Sequence, residues 1–170
     1  MMLRRLLGQR ARSPENLYSA IVTAARQPRF YAEWGVPDTL DGRFDMIVLH
    51  QFLVLDRLRN EPGQEDLSQA LTDTFFDDMD RSLREMGVGD LSVGKKVRKM
   101  AEAYHGRLAA YGKALPQQGD ALELALARNV FGRAETISGA EQLARWTRTA
   151  QAALASQTLN KIVTGAIQWP

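Results

Sequence analysis

The chain has 170 residues, 45% hydrophobic and 25% charged, and its 22 Lys and Arg against 20 Asp and Glu leave a formal net charge of +2. That length fits one ordinary domain with its own core, and so small a net charge does not suit a general nucleic-acid binder, so no nucleic acid is expected as a partner. Cysteine is absent, which excludes a disulfide framework, a thiol nucleophile and a thiolate metal site, and no apolar run approaches the roughly 20 residues that span a bilayer.

Residues 1–12 carry Arg4, Arg5, Arg10 and Arg12 and no acid, and they lack the apolar core and small-residue cleavage site of a secretory signal. They read as a basic flexible N-terminus ahead of one helical domain over 13–170. Two readings stand: a solvated terminus, or a short anchor in which those arginines contact anionic lipid, each worth about 1 kcal/mol. Helical spacing prevails along the rest of the chain and strand signals are nearly absent. The predicted fold is therefore all-α, a single-domain irregular bundle of about six to eight helices.

Ser13-Pro14 supplies an N-cap with Pro at the first helical position, and Leu17, Ala20, Ile21 and Ala24 make a stripe that stops near Pro28. A short aromatic segment from Phe30 to Pro37 leads to the next cap at Asp38-Thr39. The helix that follows, about 39–59, is apolar almost all round from Met46 to Leu55, which predicts a buried central element. Asn60-Glu61-Pro62-Gly63 ends it.

A third helix, about 64–86, places Leu67, Leu71, Phe75, Met79, Leu83 and Met86 at helical spacing, and Gly87 is a natural helix stop. Beyond the turn, Leu91, Val97, Ala101, Tyr104, Leu108 and Tyr111 give a fourth stripe that ends before Pro116. These two helices are oppositely charged: seven acids against two arginines over 64–86, then six basic residues against two acids over 87–115. Complementary helix surfaces are the default reading. The C-terminal third, 119–170, predicts two or three more helices.

The chemical motifs weaken on inspection. Gly89-Asp90-Leu91-Ser92-Val93-Gly94-Lys95 fits the first seven positions of a phosphate loop, but the eighth is Lys96 where a hydroxyl must hold magnesium, and no strand precedes it. What remains is a helix start beside two lysines, suited to a lipid phosphate or a partner carboxylate. Asp73, Asp77, Asp78 and Asp80 lack the Glu-x-x-His partners of a helical metal site, and Asp77–Arg81 and Asp80–Arg84 are expected to pair on the helix face. His50, within the most apolar helix, reads as a hydrogen-bonded core residue, and His105 as surface or groove-lining. No serine sits in G-x-S-x-G, so no enzyme is expected, and no catalytic, metal or cofactor residues. Ala103, Gly106 and Ala110 gather small residues on one side of the fourth helix, where a glycine costs about 1 kcal/mol; they imply a close neighbour, either another helix of the fold or an apolar client helix.

Tyr31, Trp34-Gly35-Val36-Pro37-Asp38-Thr39, Gly42-Arg43-Phe44, Leu49-His50, Asp78-Met79-Asp80, and the run Leu83-Arg84-Glu85-Met86-Gly87-Val88-Gly89-Asp90 with Met100, Tyr104 and Tyr111 resemble the ubiquinol–cytochrome c chaperone family. The family-like block is 30–115, followed by a helical extension over 119–170. The resemblance implies a non-enzymatic chaperone without cofactor for assembly of the cytochrome bc complex, respiratory complex III. Its client would be newly made cytochrome b, or another subunit of that complex. Mitochondrial members work with a small co-chaperone and near the ribosome exit, and a chain without a long presequence resembles a bacterial member, cytoplasmic and peripheral on the inner membrane. The expected partner contacts are Trp34, Val36, Pro37, Asp38, Arg43 and Phe44, together with Asp80, Arg81, Arg84, Glu85, Gly87, Lys95 and Lys96. A peripheral membrane or anionic-lipid binding module is the alternative, using the N-terminal arginines with Lys95, Lys96 and Lys99.

Overall fold

A computed structural model of the chain describes residues 13–170; Arg4, Arg5, Arg10 and Arg12 lie outside the described residues. Eight helices and no strand occur among those residues: α1 (Pro14–Ala25), α2 (Pro28–Ala32), α3 (Leu40–Arg59), α4 (Glu65–Glu85), α5 (Asp90–Ala114), α6 (Ala121–Phe131), α7 (Ser138–Ser156) and α8 (Leu159–Val163). The aromatic segment after Pro28 thus begins with a short helix, α2, which the periodicity had not indicated because five residues hold barely more than one turn.

Local chemistry sets the helix starts. The Ser13 hydroxyl accepts the Asn16 backbone N–H at 3.0 Å with Pro14 at the first helical position, and Thr39 accepts the Gly42 N–H at 3.1 Å. Gly42 is needed for a second reason. A Cβ there would overlap the Pro37 carbonyl oxygen, so the 37–42 corner closes only around a glycine.

Every residue from Phe44 to Val54 is buried, and α3 packs against α1, α4, α5, α6 and α7. It is the central helix that its uniform hydrophobicity predicted. Each large apolar side chain taken out of water there contributes about 1.5–3 kcal/mol. By contrast α4 is two-faced, with Leu71, Phe75, Met79 and Leu83 inward; Tyr18 of α1 donates to Asp78 across this seam at 2.8 Å.

Two predicted stripe residues are open to solvent. Met86 caps α4 beside Gly87, whose φ of 83° turns the chain, and is exposed; Leu91 is fully exposed. The buried residues of α5 are Val93, Tyr104, Tyr111 and Ala114. Val93 to Tyr104 is about three whole turns, which keeps them on one face, whereas Leu91 falls on the opposite side. Nor does the small-residue stripe mark a close crossing: Gly106 is exposed, and a Cβ there would meet nothing within 4 Å.

Candidate functional site

The residues expected to meet a partner fall into separate places. Val36 and Phe44 belong to the core, 2% and 6% exposed. Phe44 is held between the Phe75 ring at 5.7 Å and the Arg107 guanidinium at 5.5 Å, so it shapes the surface from beneath. Trp34 is half-buried against Phe30, at 5.3 Å edge-on, with its carbonyl against Gly139 at the start of α7, where a Cβ would overlap it. Asp38 and Arg43 pair with each other at 2.7 Å in the open and line a separate depression beside Tyr31.

Pro37 and Phe44, in contrast, border a groove of about 520 Å³ between the start of α3, the middle of α5 and the end of α6. Its basic groups are Lys99, Arg107 and Arg128, its acids Asp41 and Asp45, and its apolar lining includes Met100, Ala103 and Phe131. At its base Arg107 Nε and Asp45 Oδ1 are 2.7 Å apart, with Asp45 almost fully buried. Burial pushes the Asp45 carboxyl up to about 7, and Arg107 only partly opposes this. Arg107 also donates to the Asn129 carbonyl at 3.4 Å, so one guanidinium ties α5 to both α3 and α6.

The second group lies at the α4–α5 turn. Arg84 bridges Asp80, at 2.6 Å, and Asp90. Asp90, in the first turn of α5, thus supplies the helix start with its own carboxylate, and the lipid or partner anion suggested for that end has a competitor in place. The expected Asp77–Arg81 ion pair is not formed. Its neighbour Asp78 instead accepts from Tyr18, and Arg81 is exposed. Glu85, Gly87, Lys95 and Lys96 are exposed around Met86 and Leu91. No group of three or more His, Asp and Glu placed to hold a metal ion occurs among the described residues.

Arg107, Asp45, Arg128 and Met100 were missing from the expected contacts. One signal for them was available: Asp45 is an acid just before the most apolar run of the chain, and a buried acid requires a cation.

With this arrangement in view, comparison with known proteins is decisive. The model of the ubiquinol–cytochrome c chaperone family matches residues 32–169. The chain belongs to that family. The match includes the groove, the α4–α5 turn and helices α6 to α8, and the family is one of chaperones, not of enzymes. A curated family relative, ubiquinol-cytochrome-c reductase complex assembly factor 1 of Xenopus laevis, is 21% identical over 118 residues, 69% of this chain and 59% of the relative. The matched region is thus about three fifths of that protein's length. The crystal structure of the Cbp3 homolog from Brucella abortus is 38% identical with a TM-score of 0.85, covering 100% of this chain and 97% of that one. The fold shared with that structure therefore extends over the whole bundle, with α3 at its centre.

Proposed function

We propose that this protein is an assembly chaperone of the cytochrome bc complex that holds newly made cytochrome b at the membrane surface. The observation that carries the reading is the family match over residues 32–169, and the bacterial relative of the same length and fold supports it. The groove between α3, α5 and α6 suits this role. It offers apolar walls at Met100, Ala103 and Phe131 above the Asp45–Arg107 pair, with cations at the rim, where an extended or helical client segment buries hydrophobic side chains and leaves its acids to Lys99 and Arg128. Deletion of the gene is expected to lower assembled cytochrome bc complex while other respiratory complexes persist. Unchanged levels of that complex would overturn the proposal.

One observation favours a second reading, contact with anionic lipid. Leu91 is fully exposed and Met86 half-exposed at the α4–α5 turn, with Lys95, Lys96 and Lys99 exposed along α5. An apolar tip with cations behind it suits a lipid surface. Flotation with vesicles that contain phosphatidylglycerol, but not with pure phosphatidylcholine, is the expected result; no flotation with either removes this reading.

A further inference from the structure

A second cavity, of about 660 Å³, lies between α1, the start of α2, α7 and the segment after α8, and it shares no lining residue with the groove described above. Its volume is in the range of ligand sites. The floor is closed by packed rings: His50 is fully buried, with the ring centres of Phe30, Trp146 and Trp169 at 5.5, 4.8 and 4.9 Å from the imidazole. Recognition here therefore falls to the walls.

One wall is the segment 165–170, in which Gly165, Ile167 and Trp169 are partly buried while Ala166, Gln168 and Pro170 are exposed. That period of two is the mark of extended backbone. Gly165, at φ 75°, stands against α1, where a Cβ would lie 3.0 Å from the Asn16 carbonyl oxygen; at the other end the Pro170 carbonyl accepts from the Trp146 indole at 3.3 Å and from Arg29. Both ends are thus fixed.

The two edges of this segment differ. Gln157 brackets one of them, its side-chain amide accepting from the Gln168 N–H and donating to the Gln168 carbonyl, each at 2.9 Å. Along extended backbone the N–H and C=O of one residue share an edge and those of its neighbours point to the other, so the groups of Ile167 and Trp169 lie away from Gln157, toward α1 across the cavity. Among the described residues they make no hydrogen bond. Such an unpaired edge is a template for another extended chain.

The facing wall is an exposed row on α1, Ser19, Thr23 and Gln27 at helical spacing, with Ala20 and Ala24 beside it. Its groups are neutral donors and acceptors. Among the described lining residues Arg29 alone carries a formal charge, and its guanidinium is taken up by the Pro170 carbonyl and by the faces of Phe30 and Trp34. What complements these walls is peptide backbone with small side chains and no charge.

We propose that this cavity docks an extended, uncharged peptide segment of a partner protein, which pairs its backbone with Ile167 and Trp169 and lays small side chains against Ala20 and Ala24. The site stands apart from the client groove, and its test does not depend on chaperone activity.

The probe is acetyl-Ala-Val-Thr-Val-Ala-amide, and its calorimetric titration into the full chain is expected to saturate with a Kd below about 1 mM. N-methylation of its three central residues removes donors from both edges and keeps every side chain; affinity should fall at least about tenfold. Amide exchange followed by NMR locates the pairing. The Gln168 amide, held by Gln157, should exchange slowly with or without peptide, whereas those of Ile167 and Trp169 should exchange fast in the free protein and at least about tenfold more slowly at saturation. Ile167→Pro deletes one N–H while keeping an extended φ and should weaken binding about tenfold. Should it displace the segment, Ser19→Tyr on the exposed wall of α1 fills the cavity and should abolish saturation with the melting temperature unchanged. No saturation up to about 1 mM peptide, equal affinity for the methylated peptide, or unchanged exchange at Ile167 and Trp169 overturns the assignment.

Discussion

Asp45 and His50 lie five positions apart on the same buried helix, and burial acts on them in opposite directions. The Asp45 carboxyl is pushed up to about 7 and the His50 imidazole down to about 4; in both cases desolvation favours the neutral form. Near pH 6 the centre of the bundle holds a protonated acid and a neutral base.

The two groups link stability to pH with opposite signs. A raised carboxyl pKa means the folded state keeps a proton that the unfolded chain releases above about 4, so Asp45 lowers stability as pH rises from about 4 to 7. A depressed histidine pKa means the unfolded chain takes up a proton that the folded state refuses, so His50 raises stability as pH rises from about 4 to 6.5. The wild type is expected to show a shallow profile between pH 4 and 6.5. Asp45→Asn should uncover a rise of up to about 1.4 kcal/mol per pH unit, measured by urea denaturation at each pH. An unchanged slope in that variant would contradict the opposition.

Arg107→Met leaves Asp45 without its cation and frees the Asn129 carbonyl. Above about pH 8, where Asp45 is ionised, a loss of about 3 kcal/mol in urea denaturation is expected, and a smaller one near pH 6, where it is neutral. Arg84→Ala, by contrast, removes pairs to Asp80 and Asp90 that are open to solvent; a change within about 1 kcal/mol is expected.

Two glycines in helices should respond in opposite ways to alanine. Gly42→Ala drives a methyl into the Pro37 carbonyl and is expected to lower the melting temperature through strain at the 37–42 corner. Gly106→Ala places a methyl in open space on α5 and should raise stability by about 0.5–1 kcal/mol. Thermal unfolding of the two variants side by side reads both signs.

Charge reversal in the groove separates function from folding. Lys99→Glu with Arg128→Glu alters exposed residues, so the melting temperature should move little. Assembled cytochrome bc complex in cells carrying the double variant should fall toward the level of the deletion strain; wild-type levels would exclude the groove as the client contact.

Much of this architecture was legible in the chain as a string of residues. The uniform apolar run of α3 required burial on every side, the caps at Ser13 and Thr39 placed helix starts, and the Leu83 to Asp90 run carried the family resemblance. Those are local signals, because helical period, capping and turn chemistry depend on neighbours within a turn or two. Where partners are concerned the string was silent. The sequence contains both Asp45 and Arg107, but their pairing depends on how α5 is rotated and crossed against α3, which no period specifies. The same rotation sends Val93 inward and Leu91 to solvent, and leaves Gly106 with an open flank. The aromatic setting of His50 is assembled from α2, α7 and the segment after α8, distant in sequence and joined only by packing. Composition and period determined that this is a helical bundle around α3; tertiary packing alone decided which charges meet, which apolar residues stay outside, and where the cavities open.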